Sequence, residues 1–352
     1  MKYSDSYIKM DMQKIYCDDY VSKIESKSTI LVTGCNGMIA TYLIYFFLFL
    51  NDEHKKNIHV IGMTRSPNKT MKKYQDIIDR KDFTIIEHDV NNVFDIDIDI
   101  DYIFHFASNA DPKNILERPV DIIRANTLGL MNVLEYAKEK KIKKIIFPST
   151  REVYGKMSEN YEEVHEYDLG VLNQLETRAC YPESKKMAEC ILNSYYLQYQ
   201  VPYAIFRIAH SYGPGMPIEK DGRIMSDLVG NVVRGEDILL NSDGSAIRGF
   251  IYLTDMISGM LYGTFIGLDA EVYNLANEKE NLSILELAKM LVSLQPNKEL
   301  KVTYKKISEK EKEGYTKFKR VRLNMNKLEK LGWSPQVSLI DGLKTTIKSY
   351  ES

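Results

Sequence analysis

Tyr181 and Lys185 stand four residues apart in the segment Tyr181-Pro182-Glu183-Ser184-Lys185. On a helix that spacing puts both side chains on one face. An ammonium beside a phenol favours the phenolate, drawing the tyrosine pKa down from its usual value of about 10. Such a tyrosine can take or give a proton near neutral pH. The lysine can also donate to the ribose of a nicotinamide. Upstream, the apolar run Lys144–Pro148 ends in Ser149-Thr150, a hydroxyl pair suited to holding a substrate hydroxyl. Alone, Y-x-x-x-K is common on surface helices; its place in the order of parts gives it meaning.

The other part is Gly34-Cys35-Asn36-Gly37-Met38-Ile39-Ala40, a G-x-x-G-x-x-A pattern. It follows the apolar run Ser28–Thr33, read as a buried parallel strand. It precedes the apolar segment Met38–Leu50, which is too short to span a bilayer comfortably and reads as a buried helix. Glycines let the chain turn sharply against a pyrophosphate, and the helix N-terminus offers free N–H groups. The small Ala40 suits close helix–strand packing. NAD enzymes usually place a carboxylate at the end of the next strand, for the ribose 2′-hydroxyl. Here that strand, Ile58–Met63, runs into Thr64-Arg65-Ser66 with Lys69 nearby. Cations and hydroxyls suit a 2′-phosphate, so the cofactor is read as NADP or NAD, with NADP favoured; Arg65 as a solvated surface charge is the alternative.

These parts need a sheet to carry them. Further strands are expected at Thr84–Ile86, Asp101–Phe106, Lys144–Pro148 and Ala204–Ile208, with helices around Asn126–Lys140 and from Cys180 to about Tyr199. The aspartates of Asp95–Asp101 suggest a turn or strand edge more than a metal site. The fold class is α/β: a Rossmann-type doubly wound parallel sheet with a smaller C-terminal α/β substrate-binding lobe. Residues 1–27 read as a polar N-terminal extension, helical or irregular, and not a signal peptide. Residues 28–212 form the dinucleotide-binding domain with the catalytic residues. Residues 213–352 form mainly the substrate lobe, with some segments returning. The 352 residues are 44% hydrophobic and 27% charged, with a formal net charge of −2. That is ordinary globular composition, and no charge excess argues for nucleic acid or a membrane surface. Cys17, Cys35, Cys180 and Cys190 fit no zinc spacing and read as reduced thiols, which suggests the cytoplasm. No metal is expected.

Together these parts resemble the extended short-chain dehydrogenase/reductases of the nucleotide-sugar epimerase/dehydratase family, from Ser28 to the C-terminus. Matching pieces include Asp89-Val90, His105-Phe106-Ala107-Ser108, Asn126, Thr150, Val153-Tyr154-Gly155, Tyr212-Gly213-Pro214, Arg248, Asp255 and Leu331-Gly332-Trp333-Ser334-Pro335. The resemblance implies a nucleotide-diphosphate sugar as substrate and a homodimer built from two helices of each subunit. It gives the cofactor to Gly34, Asn36, Gly37, Met38, Ile39, Thr64, Arg65, Asp89 (adenine), Val90, Phe106, Ala107, Ser108, Asn126, Tyr181 and Lys185. It assigns catalysis to Tyr181, Lys185, Thr150 and Glu152. Substrate contacts fall to Ser108, Thr150, Arg151, Glu152, His210, Arg223 and Arg248, the last on the diphosphate or a substrate carboxylate.

Two stretches narrow the match. Arg178-Ala179-Cys180-Tyr181 and Asp221-Gly222-Arg223 resemble UDP-glucuronate decarboxylases. Thr150-Arg151-Glu152 resembles the T-x-E triplet of decarboxylases and 4,6-dehydratases, in which the glutamate transfers a proton or positions substrate. A 4-keto group acidifies carbon 5, and a nearby carboxylate can take that proton. Arg151 departs from the pattern: relatives carry Ser or Asp there as proton donor, and arginine is no acid. It can bind a carboxylate or phosphate, or point away. His210 stands where many relatives carry Asn; it can donate the same hydrogen bond, titrate, or be structural. Lys317 and Arg320 are further candidates for the nucleotide. The expected first step is removal of the carbon-4 hydroxyl proton by Tyr181 with hydride passing to the nicotinamide. Decarboxylation, dehydration or epimerisation follows, with hydride return. A reductase consuming NADPH on a 4-keto nucleotide sugar is the alternative, and a non-catalytic dinucleotide-sensing protein a third.

Overall fold

The computed structural model describes residues 1–352 except 95, 109, 159–160, 220–221, 306–320 and 352, and the side chain of residue 177. Two helices, α1 (Ser6–Ile15) and α2 (Asp18–Val21), open the chain. Strand β1 (Thr29–Thr33) leads through the glycine turn into α3 (Met38–His54), then β2 (His59–Thr64), α4 (Pro67–Lys73), β3 (Phe83–Glu87) and β4 (Tyr102–His105). Short helices α5 (Pro112–Glu117) and α6 (Pro119–Arg124) run through a π-helical turn, Ala125–Gly129, into α7 (Leu130–Lys140). Then come β5 (Lys144–Thr150), β6 (Glu163–Val164), α8 (Cys180–Tyr199) and β7 (Tyr203–Ile208).

The central sheet has seven strands, the seventh being Glu271–Leu275, in the order Glu271–Leu275, β7, β5, β4, β1, β2, β3. All its pairings are parallel. The chain reverses its direction of travel between β1 and β4, and ligands of such sheets bind at the carboxyl ends there. The alternating run at residues 96–100 forms no strand among the described residues, because its aspartates neither pack on a sheet nor favour one.

From residue 210 onward the chain divides. A smaller lobe holds β8 (His210–Tyr212), α9 (Ile224–Arg234), β9 (Ile238–Leu240) and β10 (Ile247–Tyr252), with a C-terminal helix, Leu339–Glu351, beside them. Helix α10 (Leu253–Phe265) and strand β11 (Glu271–Leu275) return to the large core.

Residues 1–27 pack onto that core through Ile8, Met12, Ile15, Tyr20, Val21 and Ile24. Ile8, Met12 and Ile15 recur at helical spacing on α1 and are at most 1% exposed. They cover α3, whose residues 40–50 are all buried. An amphipathic helix would leave one face to solvent; α3 is apolar all round because the sheet lies on one side and α1 and α10 on the other. Asp11 locks this arrangement. Its carboxylate is fully buried and accepts the hydroxyls of Tyr42 on α3 at 3.0 Å and Tyr252 on β10 at 2.6 Å, with Lys14 at 3.1 Å. Replacing Asp11 by Ala removes an acceptor shared by two buried phenol groups. Urea unfolding of Asp11→Ala should show a loss of about 2–3 kcal/mol; a loss within error of zero would mean the N-terminal helix is not anchored there.

Candidate active site

The glycine turn is shaped by one backbone requirement. Gly34 has φ +64°, and a Cβ there would meet the Phe106 carbonyl oxygen at 2.8 Å and the Ala107 Cα at 2.9 Å. Only glycine combines that torsion with that approach. Gly37 caps α3 without a side-chain bond, so the first-turn N–H groups have no carbonyl within the helix. Residues Asn36 to Ala40 line a cleft of about 720 Å³ that also holds Phe106, Ser108, Thr150, Arg151, Glu152, Tyr181, Lys185, His210 and Arg223.

Lys185 is 2% exposed. Its Nζ donates to the Pro148 carbonyl at 2.8 Å and lies 4.3 Å from the centre of the Phe147 ring. Burial pulls its pKa down to about 7, with Glu189 acting the other way. Burial, helped by the same lysine charge, keeps His105 neutral, its pKa pressed down to about 3. Tyr181 is buried, and burial raises its phenol pKa; the Glu152 carboxylate adds to the rise, while a hydrogen bond from Thr150 and the charge of Arg178 oppose it. The charges acting on the phenol are thus Glu152 and Arg178, not the lysine expected from the spacing, whose ammonium is turned to Pro148.

The floor beneath these groups is a polar network. Ser149 donates to Glu189 at 2.5 Å, and Glu189 pairs with Arg207 at 2.6 Å. Arg207 also donates to the Glu166 carbonyl and lies over the Tyr154 ring. Asn126, in the π-helical turn, donates to Ser184 on α8 at 2.9 Å, which fixes the helix face carrying Tyr181 and Lys185. Thr150 accepts the Glu152 N–H at 3.2 Å, holding the triplet in a tight turn.

Buried polar atoms of this region without a partner among the described residues include His105 Nε2, Ser108 Oγ and Asn126 Oδ1. They lie on elements that end beside the glycine turn and Lys185. With the Gly34 cradle, they fit a nicotinamide dinucleotide spread along the sheet's carboxyl ends.

Other sequence candidates divide. Asp89 accepts from Asn91 at 3.0 Å and faces Arg65 at 3.6 Å, while Val90 is buried. Thr64 is committed inside the protein: its hydroxyl meets Asn36 at 3.0 Å, the Ser66 N–H at 3.0 Å and Thr70 at 3.0 Å. Arg65 is exposed. Arg151 reaches the cleft while donating to the Val321 carbonyl at 3.2 Å. Arg248, on β10, donates to its neighbour Ile247 and is not among the residues lining the cleft. Asp95, Asp221, Lys317 and Arg320 lie outside the described residues. Arg178 lines the cleft, although its motif assigns it no role. It pairs with Glu152 at 2.7 Å, a contact that spacing across 26 residues does not reveal.

Comparison with known proteins gives these features a context. A family model described as the NAD dependent epimerase/dehydratase family matches residues 30–276. UDP-glucuronic acid decarboxylase 5 of Arabidopsis thaliana is 31% identical over 330 residues, 91% of this chain and 88% of that protein. UDP-glucose 4-epimerase of Thermotoga maritima, solved with UDP-glucose, superposes with a TM-score of 0.75 at 22% identity, covering 92% of this chain and 98% of that one. UDP-glucuronic acid 4-epimerase of Bacillus cereus, solved with UDP-glucuronic acid and NAD, gives 0.74 at 24% identity, covering 92% and 99%. At those identities the two structures speak to the fold alone. The chain belongs to the NAD dependent epimerase/dehydratase family of nucleotide-sugar enzymes.

Proposed function

We propose that this chain binds a nucleotide-diphosphate sugar in the cleft and oxidises it at carbon 4, Tyr181 taking the hydroxyl proton. The observation that carries this reading is the meeting of Tyr181, Thr150 and Lys185 in the cleft onto which the glycine turn opens. Among the described residues, that cleft is lined by four cations, Arg151, Arg178, Lys185 and Arg223, against the carboxylates Asp111 and Glu152. An excess of positive charge suits a diphosphate.

The bound nicotinamide would supply the acceptor and donor of the hydride. The protein's own groups do the rest. Thr150 holds the sugar hydroxyl and the phenol together. Lys185 steadies the phenolate once the cleft is filled and water excluded. Glu152, held by Arg178, stands ready for the proton on carbon 5. Redox-neutral chemistry follows from that carboxylate: decarboxylation, 4,6-dehydration or epimerisation. Consumption of NADPH on a 4-keto sugar is the second reading, favoured by Arg65 and Lys69 where a carboxylate would select NAD. Residues 28–212 serve as the dinucleotide domain and the lobe beyond as the nucleotide-sugar holder. A homodimer through α7 and α8 is supported by Leu128 and Met131, around the start of α7, and Met187 on α8, which present exposed apolar side chains.

The test is turnover of UDP-, dTDP-, GDP- and CDP-linked hexoses and hexuronates, and of a 4-keto nucleotide sugar supplied with NADPH, followed by mass spectrometry, with absorbance at 340 nm separating the two readings. Product without net NADPH loss supports the first; stoichiometric loss supports the second; an unchanged panel overturns both. Tyr181→Phe should cut the rate by roughly 10²–10⁴-fold while the protein stays folded.

Lys185 makes a second, independent prediction. Its pKa in the folded chain is about 7, against the ordinary 10.5. Between those values the unfolded chain binds a proton that the folded one does not. Stability therefore rises with pH through that window, by about 1.4 kcal/mol per pH unit for one full proton. Urea unfolding from pH 7 to 9 should show this rise in the wild type and its loss in Lys185→Met; parallel curves would place the lysine in solvent.

A further inference from the structure

One rim of the cleft is held in place by groups that do not line it. Residues 213–217, GPGMP, follow β8, and Gly215, Met216 and Pro217 line the cleft. Gly215 turns there with φ +80°. A glycine-rich segment has many conformations to lose, so its order has to be supplied by its neighbours. The C-terminal helix, Leu339–Glu351, supplies it at both ends. Its Leu339 carbonyl accepts the Tyr212 hydroxyl at 3.2 Å, just before the rim. Eleven residues on, Tyr350 donates its hydroxyl to the Met216 carbonyl. Burial raises the pKa of that phenol and the adjoining Gly215 backbone opposes the rise, so the hydroxyl keeps its proton for Met216. Between the two contacts, Leu343 and Ile347 are buried in the same apolar cluster as Met216. Met1 also lies against the rim: a Cβ on Gly215 would come within 2.8 Å of the Met1 Cε. The residues after Met1 are fixed in turn, Tyr3 donating to Asp52 at 2.7 Å and the Ser4 N–H to Asp76 at 3.1 Å. Arg234 on α9 holds the next carbonyl, that of Ile218, at 2.7 Å.

We propose that Tyr350 is a positioning residue for the nucleotide sugar: its hydroxyl fixes the Gly215–Met216 turn in the shape the substrate meets, so it sets substrate affinity and leaves the dinucleotide and the hydride step alone. This role rests on the nucleotide-sugar reading of the cleft. Tyr350 and Arg234 are not among the residues lining the cleft, and they reach it through the backbone of the rim. A wall that has to be ordered when the ligand arrives costs affinity; one ordered beforehand does not. The Met216 side chain is 4% exposed, so packing holds one side of that residue and the Tyr350 bond holds its carbonyl. Without the hydroxyl the side chain keeps its packing, but the turn that carries it loses the bond that sets its direction.

Tyr350→Phe removes one oxygen and keeps the ring. Hydrogen exchange on the full chain, read by mass spectrometry, should quicken in peptides covering residues 213–218 and stay unchanged around the Gly34–Ala40 turn. Calorimetry with UDP, dTDP, GDP and CDP, each alone and linked to glucose, identifies the ligand that the wild type binds most tightly. The variant should bind that ligand roughly three- to tenfold more weakly, the worth of one neutral hydrogen bond. Its affinity for NAD and NADP should stay within about twofold of the wild type. Arg234→Gln releases the Ile218 carbonyl and should act in the same direction, which keeps the test open if Tyr350→Phe does not fold. Unchanged exchange at 213–218, unchanged nucleotide affinity, or losses that fall equally on nucleotide and dinucleotide would overturn the proposal. Failure of the wild type to bind any member of the panel would sink the sugar reading and this role with it.

Discussion

The cleft depends on one close approach. The turn after β1 lies so near the end of β4 that a single Cβ on Gly34 would come within 2.8 Å of the Phe106 carbonyl. That contact brings the free N–H groups of α3 to the point where the sheet changes direction. It also sets Ser108 and the neutral His105 beside Lys185, since both follow from where β4 ends. A larger residue at 34 would push the turn away from β4 and open the gap that a dinucleotide must fill.

The second constraint is polar and lies below the sheet end. Glu189 and Arg207 form a buried pair that costs desolvation unless every remaining group is bonded. Here Ser149, the Glu166 carbonyl and the Tyr154 ring complete it. Tyr154 in turn donates to Asn274 on β11 at 2.6 Å. The network ties β5, α8, β7 and β11 together directly under Thr150 and Tyr181. Positions in the cleft are thereby set by the scaffold and not by loops. Cations outnumber carboxylates along the cleft wall, a balance that favours an anionic ligand.

Much of this was legible in the chain. The runs before Gly34 and through Ser149-Thr150 are short, apolar and bounded by turn residues, so they read as buried strands, and the helix carrying Tyr181 and Lys185 begins at Cys180 as expected. Three things were not legible, each for a physical reason. The helical spacing of Ile8, Met12 and Ile15 is visible, but its meaning depends on α3 being apolar on every side, a fact about packing partners. Spacing alone points to Lys185 as the group that acidifies Tyr181, yet the charges acting on the phenol are Glu152 and Arg178, and burial, which is not written in spacing, pushes its pKa up. Arg178 and Glu152 are 26 residues apart and meet only because two short 3₁₀ turns, one after β5 and one before α8, face the same cleft.

The central claim is that the bond broken first is the one between carbon 4 of the sugar and its hydrogen, with Tyr181 receiving the hydroxyl proton. Nucleotide sugars carrying deuterium at carbon 4 test it most directly, mixed in stopped flow with enzyme holding the oxidised dinucleotide. Absorbance at 340 nm should rise transiently, at a rate that slows several-fold on deuteration, and the rise should disappear in Tyr181→Phe. A turnover signal indifferent to deuterium at carbon 4, or one that survives in Tyr181→Phe, would contradict it.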